Sequence, residues 1–188
     1  MPVTMVSYAQ NFEDVMLRRV FLGLDEGFYV DVGAWDPEVD SVTRHFYDRG
    51  WRGVNIEPHP GYAGLLRTAR PRDINLEIAV GSRDCRATMT LIHGTGMSTF
   101  DSSIAAEHSG LGYEQQEAEV SVRTLDSVFD EHARREVHFL KIDCEGAEAD
   151  VINSFDLGRY RPWVIVVEAY LLAIEILNCT APWNTDSG

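Results

Sequence analysis

Between Phe12 and Leu22 the apolar residues Phe12, Val15, Met16 and Val20 recur at steps of one, three and four with charges between them, which predicts a short amphipathic helix burying that stripe. Residues 28–32 (FYVDV) read as a strand, with Asp31 near its end and Gly33 just beyond. Residues 41–49 suggest a helix stopped at Gly50, a position suited to a left-handed turn. A second strand over 51–57 (WRGVNIE) is closed by the breaker PHPG. A helix over 62–69 ends before Pro71, and a third strand covers 74–80. Residues 87–92 and 119–123 alternate apolar with polar side chains, as strands with one solvated face do. The stretch between them, 93–117, is rich in Gly and Ser and has no period, so a flexible surface loop and candidate lid is expected there. Thr124-Leu125-Asp126 opens another helix. A strand at 138–143, a helix at 147–155 and the most apolar strand, 163–168 (WVIVVE), follow. Near-continuous apolar strands separated by helices predict one α/β domain over 1–188, with a mostly parallel sheet covered by helices on both faces. Residues 1–25 form its N-terminal helical segment.

Composition narrows the function classes. The formal net charge of −14 excludes a nucleic-acid backbone or an anionic membrane as the main partner. Cys85, Cys144 and Cys179 are far apart with no C-x-x-C spacing, which fits a reducing compartment without a disulfide framework or structural zinc. No leader-like segment and no unbroken apolar span appear, so a cytoplasmic protein without a transmembrane segment is expected. Asn178-Cys179-Thr180 matches a glycosylation sequon, a chance match in that setting.

Four predicted strands end in an acid: Asp31, Glu57, Asp143 and Glu168. In open parallel sheets ligands sit beyond the carboxyl ends of the strands, so these groups would converge on one rim and repel unless something cationic or hydroxylated joined them. Glu57 falls where nucleotide-binding folds keep the acid that grips ribose hydroxyls. The glycine fingerprint for a pyrophosphate is missing, however, since Gly33 is followed by Ala34, Trp35, Asp36 and Pro37. A nucleoside site without a phosphate site points to S-adenosylmethionine, whose sulfonium suits an acidic pocket. Asp31 would face its methionine end; the bland alternative is a turn-stabilising Asx residue.

The blocks SYAQNFEDVML, FYVDVGAWDPEVDSVTRHFYDRGWRGVNIEPHP, VRTLDSVF and FLKIDCEGAEADVI together resemble the FkbM-type S-adenosylmethionine-dependent methyltransferases. The resemblance implies a seven-stranded Rossmann-like fold. It also implies O-methylation of a hydroxyl, often on a sugar of a polysaccharide, glycolipid or other secondary product. Carried over by position, Asp31, Gly33 and Ala34 form the first cofactor loop, Glu57 the ribose acid, and Pro58, Ala79 and Val80 the adenine surround. Ser98 falls in a segment that closes over the cofactor, and Gln10, Glu13 and Asp14 match a pattern near the active-site mouth. Asp143, Glu145 and Glu168 become the candidate catalytic acids, and Gly146 permits the tight turn after them. A sugar hydroxyl needs a base or a cation to lose its proton, so either a carboxylate acts, or Asp143 and Glu168 hold Mg²⁺. Glu148 is expected to buttress the loop, and Lys141, inside an apolar strand, to need a partner. His93 and His108 flank the Gly/Ser loop and could act as base if it folds inward.

One departure from the family stands at 169–188, where no room remains for a further strand pair after a helix over 171–177. That atypical tail would leave a sheet edge open and a homodimer through it conceivable. Two other functions stay open at this point: a non-catalytic or truncated cofactor-binding module, and a NAD-dependent oxidoreductase.

Overall fold

The computed structural model describes residues 5–133 and 136–168. The expected helix over 171–177, Cys179 and the sequon lie outside the described residues. The chain order is α1 (Glu13–Val20), β1 (Phe28–Val32), α2 (Arg44–Asp48), β2 (Arg52–Ile56), α3 (Pro60–Ala69), β3 (Ile74–Leu76), β4 (Ala79–Val80), β5 (Cys85–Ile92), α4 (Ser102–Gly110), β6 (Gln115–Arg123), α5 (Leu125–His132), β7 (Phe139–Ile142), α6 (Glu148–Asn153) and β8 (Val164–Val167).

Five strands form a parallel sheet in the order β3-β2-β1-β7-β8. The expected α/β Rossmann-like architecture is present, with five strands in this sheet among the described residues where the family resemblance implied seven. The two-residue period of β1 explains why both faces are covered. Val30 and Val32 point to one side, packing with Leu125, Phe129 and Val151 of α5 and α6. Tyr29 points to the other side and meets Phe139, Trp51, Phe46 and Leu17, which brings in α1 and α2. Strand order reverses between β1 and β7, the place where an open α/β sheet leaves a crevice beyond its strand ends.

Several boundaries follow local chemistry. Gly50 ends α2 at φ 96°, as its sequence position suggested. The Thr124 hydroxyl accepts from Ser127 N and caps α5. The α1 face is reversed from expectation: Phe12, Met16 and Val20 are exposed, whereas Leu17 and Phe21 are buried. The reason is Asp14, fully buried, whose carboxylate accepts from Ser7 Oγ at 2.7 Å and Tyr8 N at 2.8 Å and so fixes which side turns inward. The expected single strand over 74–80 is two. β3 extends the main sheet, while β4 leaves it and pairs with β6 in a separate sheet of order β4-β6-β5. β5 and β6 pair antiparallel, and β6 is largely exposed on one face, as its alternation implied.

The stretch 93–117 is not irregular throughout. Asp101 accepts from Ser103 N and Ile104 N and caps α4, and β6 already begins at Gln115. This helix buries only Ala105, so its sequence carries almost no helical apolar period. β8 alternates half-buried with exposed residues although every residue in it is apolar.

Candidate active site

Beyond the carboxyl ends of β1 and β7 lies a cavity of about 300 Å³, and a narrow cleft of about 30 Å³ adjoins it through Gly33, Gly96 and Asp143. The junction is tight. Gly33 sits at φ 75°, and a Cβ there would stand 1.7 Å from the Asp143 carbonyl oxygen, so only glycine fits. The backbone N–H groups of Gly33 and Ala34 both donate to the Ile56 carbonyl at 3.0 Å and do not form an anion cradle.

The cleft is mostly apolar, with the carboxyl groups of Glu57 and Asp143 and the hydroxyl of Ser98 on its wall. Glu57 follows β2 with 5% of its surface exposed, accepting from Trp35 N at 3.0 Å and His59 N at 2.7 Å. Burial drives its carboxyl up to about 7, outweighing those two hydrogen bonds and the nearby Lys141 charge. Pro58, Ala79, Val80 and Ser98 line the same cleft. Ala79 and Val80 reach it from β4 of the second sheet and not from the end of the third parallel strand. Ser98 is buried and its hydroxyl accepts from Ile92 N at 3.2 Å.

The larger cavity is acidic. Asp143, Glu145 and Glu168 line it, together with Gly33 and Ala34, so the three candidate catalytic acids meet in one place. Glu145 has φ 50°, and burial, then the charges of Asp143 and Glu148, push its carboxyl up to about 7. A hydrogen bond with Asp143, then burial, raises Glu168 to about 7. Glu148 buttresses the turn as expected, accepting from Cys144 N at 2.9 Å and from Gly146 N. Burial pushes the Cys144 thiol up, which keeps it from serving as a thiolate.

Asp31 does not reach the cavity. It is 1% exposed, accepts from Thr43 Oγ1 at 2.9 Å, and faces Lys141 Nζ at 3.4 Å. Arg70, equally buried, donates to the same Thr43 hydroxyl at 2.6 Å. The strand period of Asp31 points it into the α1–α2 side, where it pairs with Lys141, so it lies behind the cavity in which the methionine end was expected. Lys141 is the one lysine in the 188 residues. Its ammonium donates to the Gly33 carbonyl at 2.7 Å and pairs with Asp143 Oδ2 at 3.1 Å. Burial alone would lower its pKa, but Asp31 and Asp143 outweigh that and raise it.

The pair expected to hold Mg²⁺, Asp143 and Glu168, lines the cavity together with that ammonium, which pairs with Asp143. Among the described residues no three His, Cys, Asp or Glu are disposed to hold a metal ion.

Other site residues escaped sequence reasoning. Trp35, at φ 46°, and Asp40, at φ 49°, both line the cavity. Two left-handed non-glycine residues close together signal a forced loop, but no apolar period marks them. Gln10 lines the cavity mouth, whereas Asp14 is structural and Glu13 accepts only from Asn11 N. His93 turns to His59, Nδ1 to Nε2 at 3.2 Å, and His108 contacts Tyr113. His59 in turn caps α3, accepting from Gly61 N. Neither His93 nor His108 lines the cavity.

Among the described residues no helix is long and apolar enough to cross a membrane. No curated protein and no solved structure matches the chain. The family model described as Methyltransferase FkbM domain matches residues 31–177, well over half of the sequence. With a Rossmann-like parallel sheet, an acid closing β2 and the D-x-E turn after β7, the chain belongs to the FkbM methyltransferase family.

Proposed function

We propose that the protein transfers a methyl group from S-adenosylmethionine to a hydroxyl, on a sugar of a polysaccharide, glycolipid or other secondary product. The observation that carries this reading is the joining of two unlike spaces at the switch point. One is a mostly apolar cleft ending at Glu57; the other is an acidic cavity whose single cation, Lys141, is already paired. An adenosine suits the first and a sulfonium the second. A pyrophosphate suits neither, since Gly33 and Ala34 N–H are occupied and acids surround the cavity.

Each oxygen of Glu57 accepts one backbone N–H and has a second lone pair free, enough to receive two ribose hydroxyls. Pro58, Ala79 and Val80 would flank the base. The cleft is too narrow for a purine as it stands, and the exposed ring of Phe100 on its wall would have to turn aside to admit one. Ser98 would follow the same segment toward the cofactor.

When bound, the cofactor supplies an electrophilic methyl on a cationic sulfur. The residues of this chain then orient the acceptor hydroxyl and take its proton. Glu145 and Glu168, each raised to about 7, are partly ionised at neutral pH, where a base is most effective. Charge balances. Transfer removes one positive charge from sulfur, and the carboxylate that accepts the hydroxyl proton loses one negative charge.

Calorimetry with S-adenosylhomocysteine and NAD, followed by isotopic methyl transfer onto a glycan panel, tests the reading. Binding of the former alone, with label in a glycan and loss of transfer in Asp143→Asn, is the expected result. NAD binding without S-adenosylhomocysteine binding would refute it, and binding without transfer to any acceptor would favour a non-catalytic module.

A further inference from the structure

The charge pattern of the cavity also discriminates among acceptors, an inference that rests on the methyl-transfer reading above. Asp40, Asp143, Glu145 and Glu168 line it against Lys141 alone. The Lys141 ammonium donates to Gly33 O at 2.7 Å and forms ion pairs with Asp143 Oδ2 and Asp31 Oδ1 at 3.1 and 3.4 Å, so two carboxylates already offset its single charge. Among the described residues no arginine lines the cavity.

A second observation concerns Trp35, which lines the same cavity while its ring packs edge-on against Tyr62, and whose indole N–H is buried without a hydrogen-bond partner. That donor asks for a ligand oxygen, and an indole face beside carboxylates is a favourable setting for a protonated amine. The cofactor brings one net positive charge. Asp143 is met by Lys141, and among the described residues neither Asp40 nor Glu145, on the same cavity wall, forms a salt bridge.

We propose that the acceptor is a polyol carrying a protonated amine near the reacting hydroxyl, of the amino-sugar or amino-alcohol class, and that uronate- or phosphate-bearing acceptors are excluded. The amine sits between Asp40, Glu145 and the Trp35 ring, and a ring or chain oxygen accepts from the indole N–H.

Three rings of one shape and three charges test this: glucosamine, glucose and glucuronate, titrated by NMR at neutral pH against the protein saturated with S-adenosylhomocysteine. Glucosamine is expected to bind about tenfold tighter than glucose and glucuronate more weakly than both, with the gaps shrinking in high salt, as screening requires. Asp40→Asn should narrow the glucosamine advantage several-fold while S-adenosylhomocysteine binds as before. Equal affinities, tighter glucuronate, or no binding of any of the three overturns the proposal and leaves the methyl-donor reading standing. Failure of S-adenosylhomocysteine to bind removes both.

Discussion

Replacing Glu57 by Gln isolates the electrostatic cost of the acid that closes β2. Its carboxyl rises from an ordinary 4.5 to about 7 because burial outweighs two backbone hydrogen bonds. An acid whose folded value exceeds its unfolded one holds its proton longer in the folded chain. Stability from this group is therefore intact below about pH 4.5, declines as pH rises toward 7, and is lost above that. At about 1.4 kcal/mol per pH unit, the full cost of ionising Glu57 in the folded protein is about 3 kcal/mol. The amide cannot ionise, so it escapes this cost. It does put an NH₂ toward one of the two backbone N–H groups, a penalty of about 1–3 kcal/mol that is the same at every pH. Urea unfolding of both proteins without ligand, at about pH 5 and about pH 8.5, separates the two effects, because the fixed penalty cancels in the difference. The Gln variant should gain about 2–3 kcal/mol relative to wild type on going from the lower to the higher pH. A gain under about 0.5 kcal/mol would refute a buried carboxyl with a raised pKa at this position. The same linkage governs the ligand. Ribose hydroxyls donate to the ionised form, so S-adenosylhomocysteine affinity in wild type should weaken about tenfold per pH unit below 7 and lose this dependence in Glu57→Gln.

Lys141→Met should lower stability by about 3–5 kcal/mol, since it strands the buried Asp31 and the Asp143 carboxyl without their cation. In a thermal melt of a chain this size that is roughly a 6–20 °C drop, and a change within about 2 °C would refute the pairing. Thr99→Val removes the hydroxyl that donates to the Glu145 carbonyl at 2.9 Å and accepts from Asp101 N, at the start of the α4 cap. We expect about a tenfold fall in kcat with KM nearly unchanged, recovered in Thr99→Ser. Equal activity in all three proteins would show that Thr99 does not position Glu145.

The strands of the main sheet could be read from the chain because each is a local apolar run. Residues 28–32 fall on β1 without a shift, and Gly33, Glu57, Asp143 and Glu145 follow directly from where the strands end. What could not be read depends on partners distant in sequence. On α1, two apolar stripes compete, and the choice falls to Asp14, whose hydrogen bonds to Ser7 and Tyr8 no periodicity records. Residues 74–80 look like one strand, yet their two ends pair with β2 and β6 in different sheets. Asp31 and Glu57 both follow apolar runs, but Asp31 precedes Val32 within β1 and turns into the core, while Glu57 lies one residue past β2 and reaches the cleft. Trp35 and Asp40 come into the site through left-handed backbone turns, which leave no hydrophobic signature.

The solitary lysine has a practical consequence. Amine-reactive reagents ordinarily decorate a protein surface at many points, but in this sequence the only ε-amino group is walled in beneath the cavity, 8% exposed and engaged on three sides. Acylation of Lys141 in the native protein can proceed only during excursions that part it from Asp31 and Asp143. Its labelling rate is thus a clock for breathing of the catalytic floor, readable by mass spectrometry without any knowledge of the acceptor.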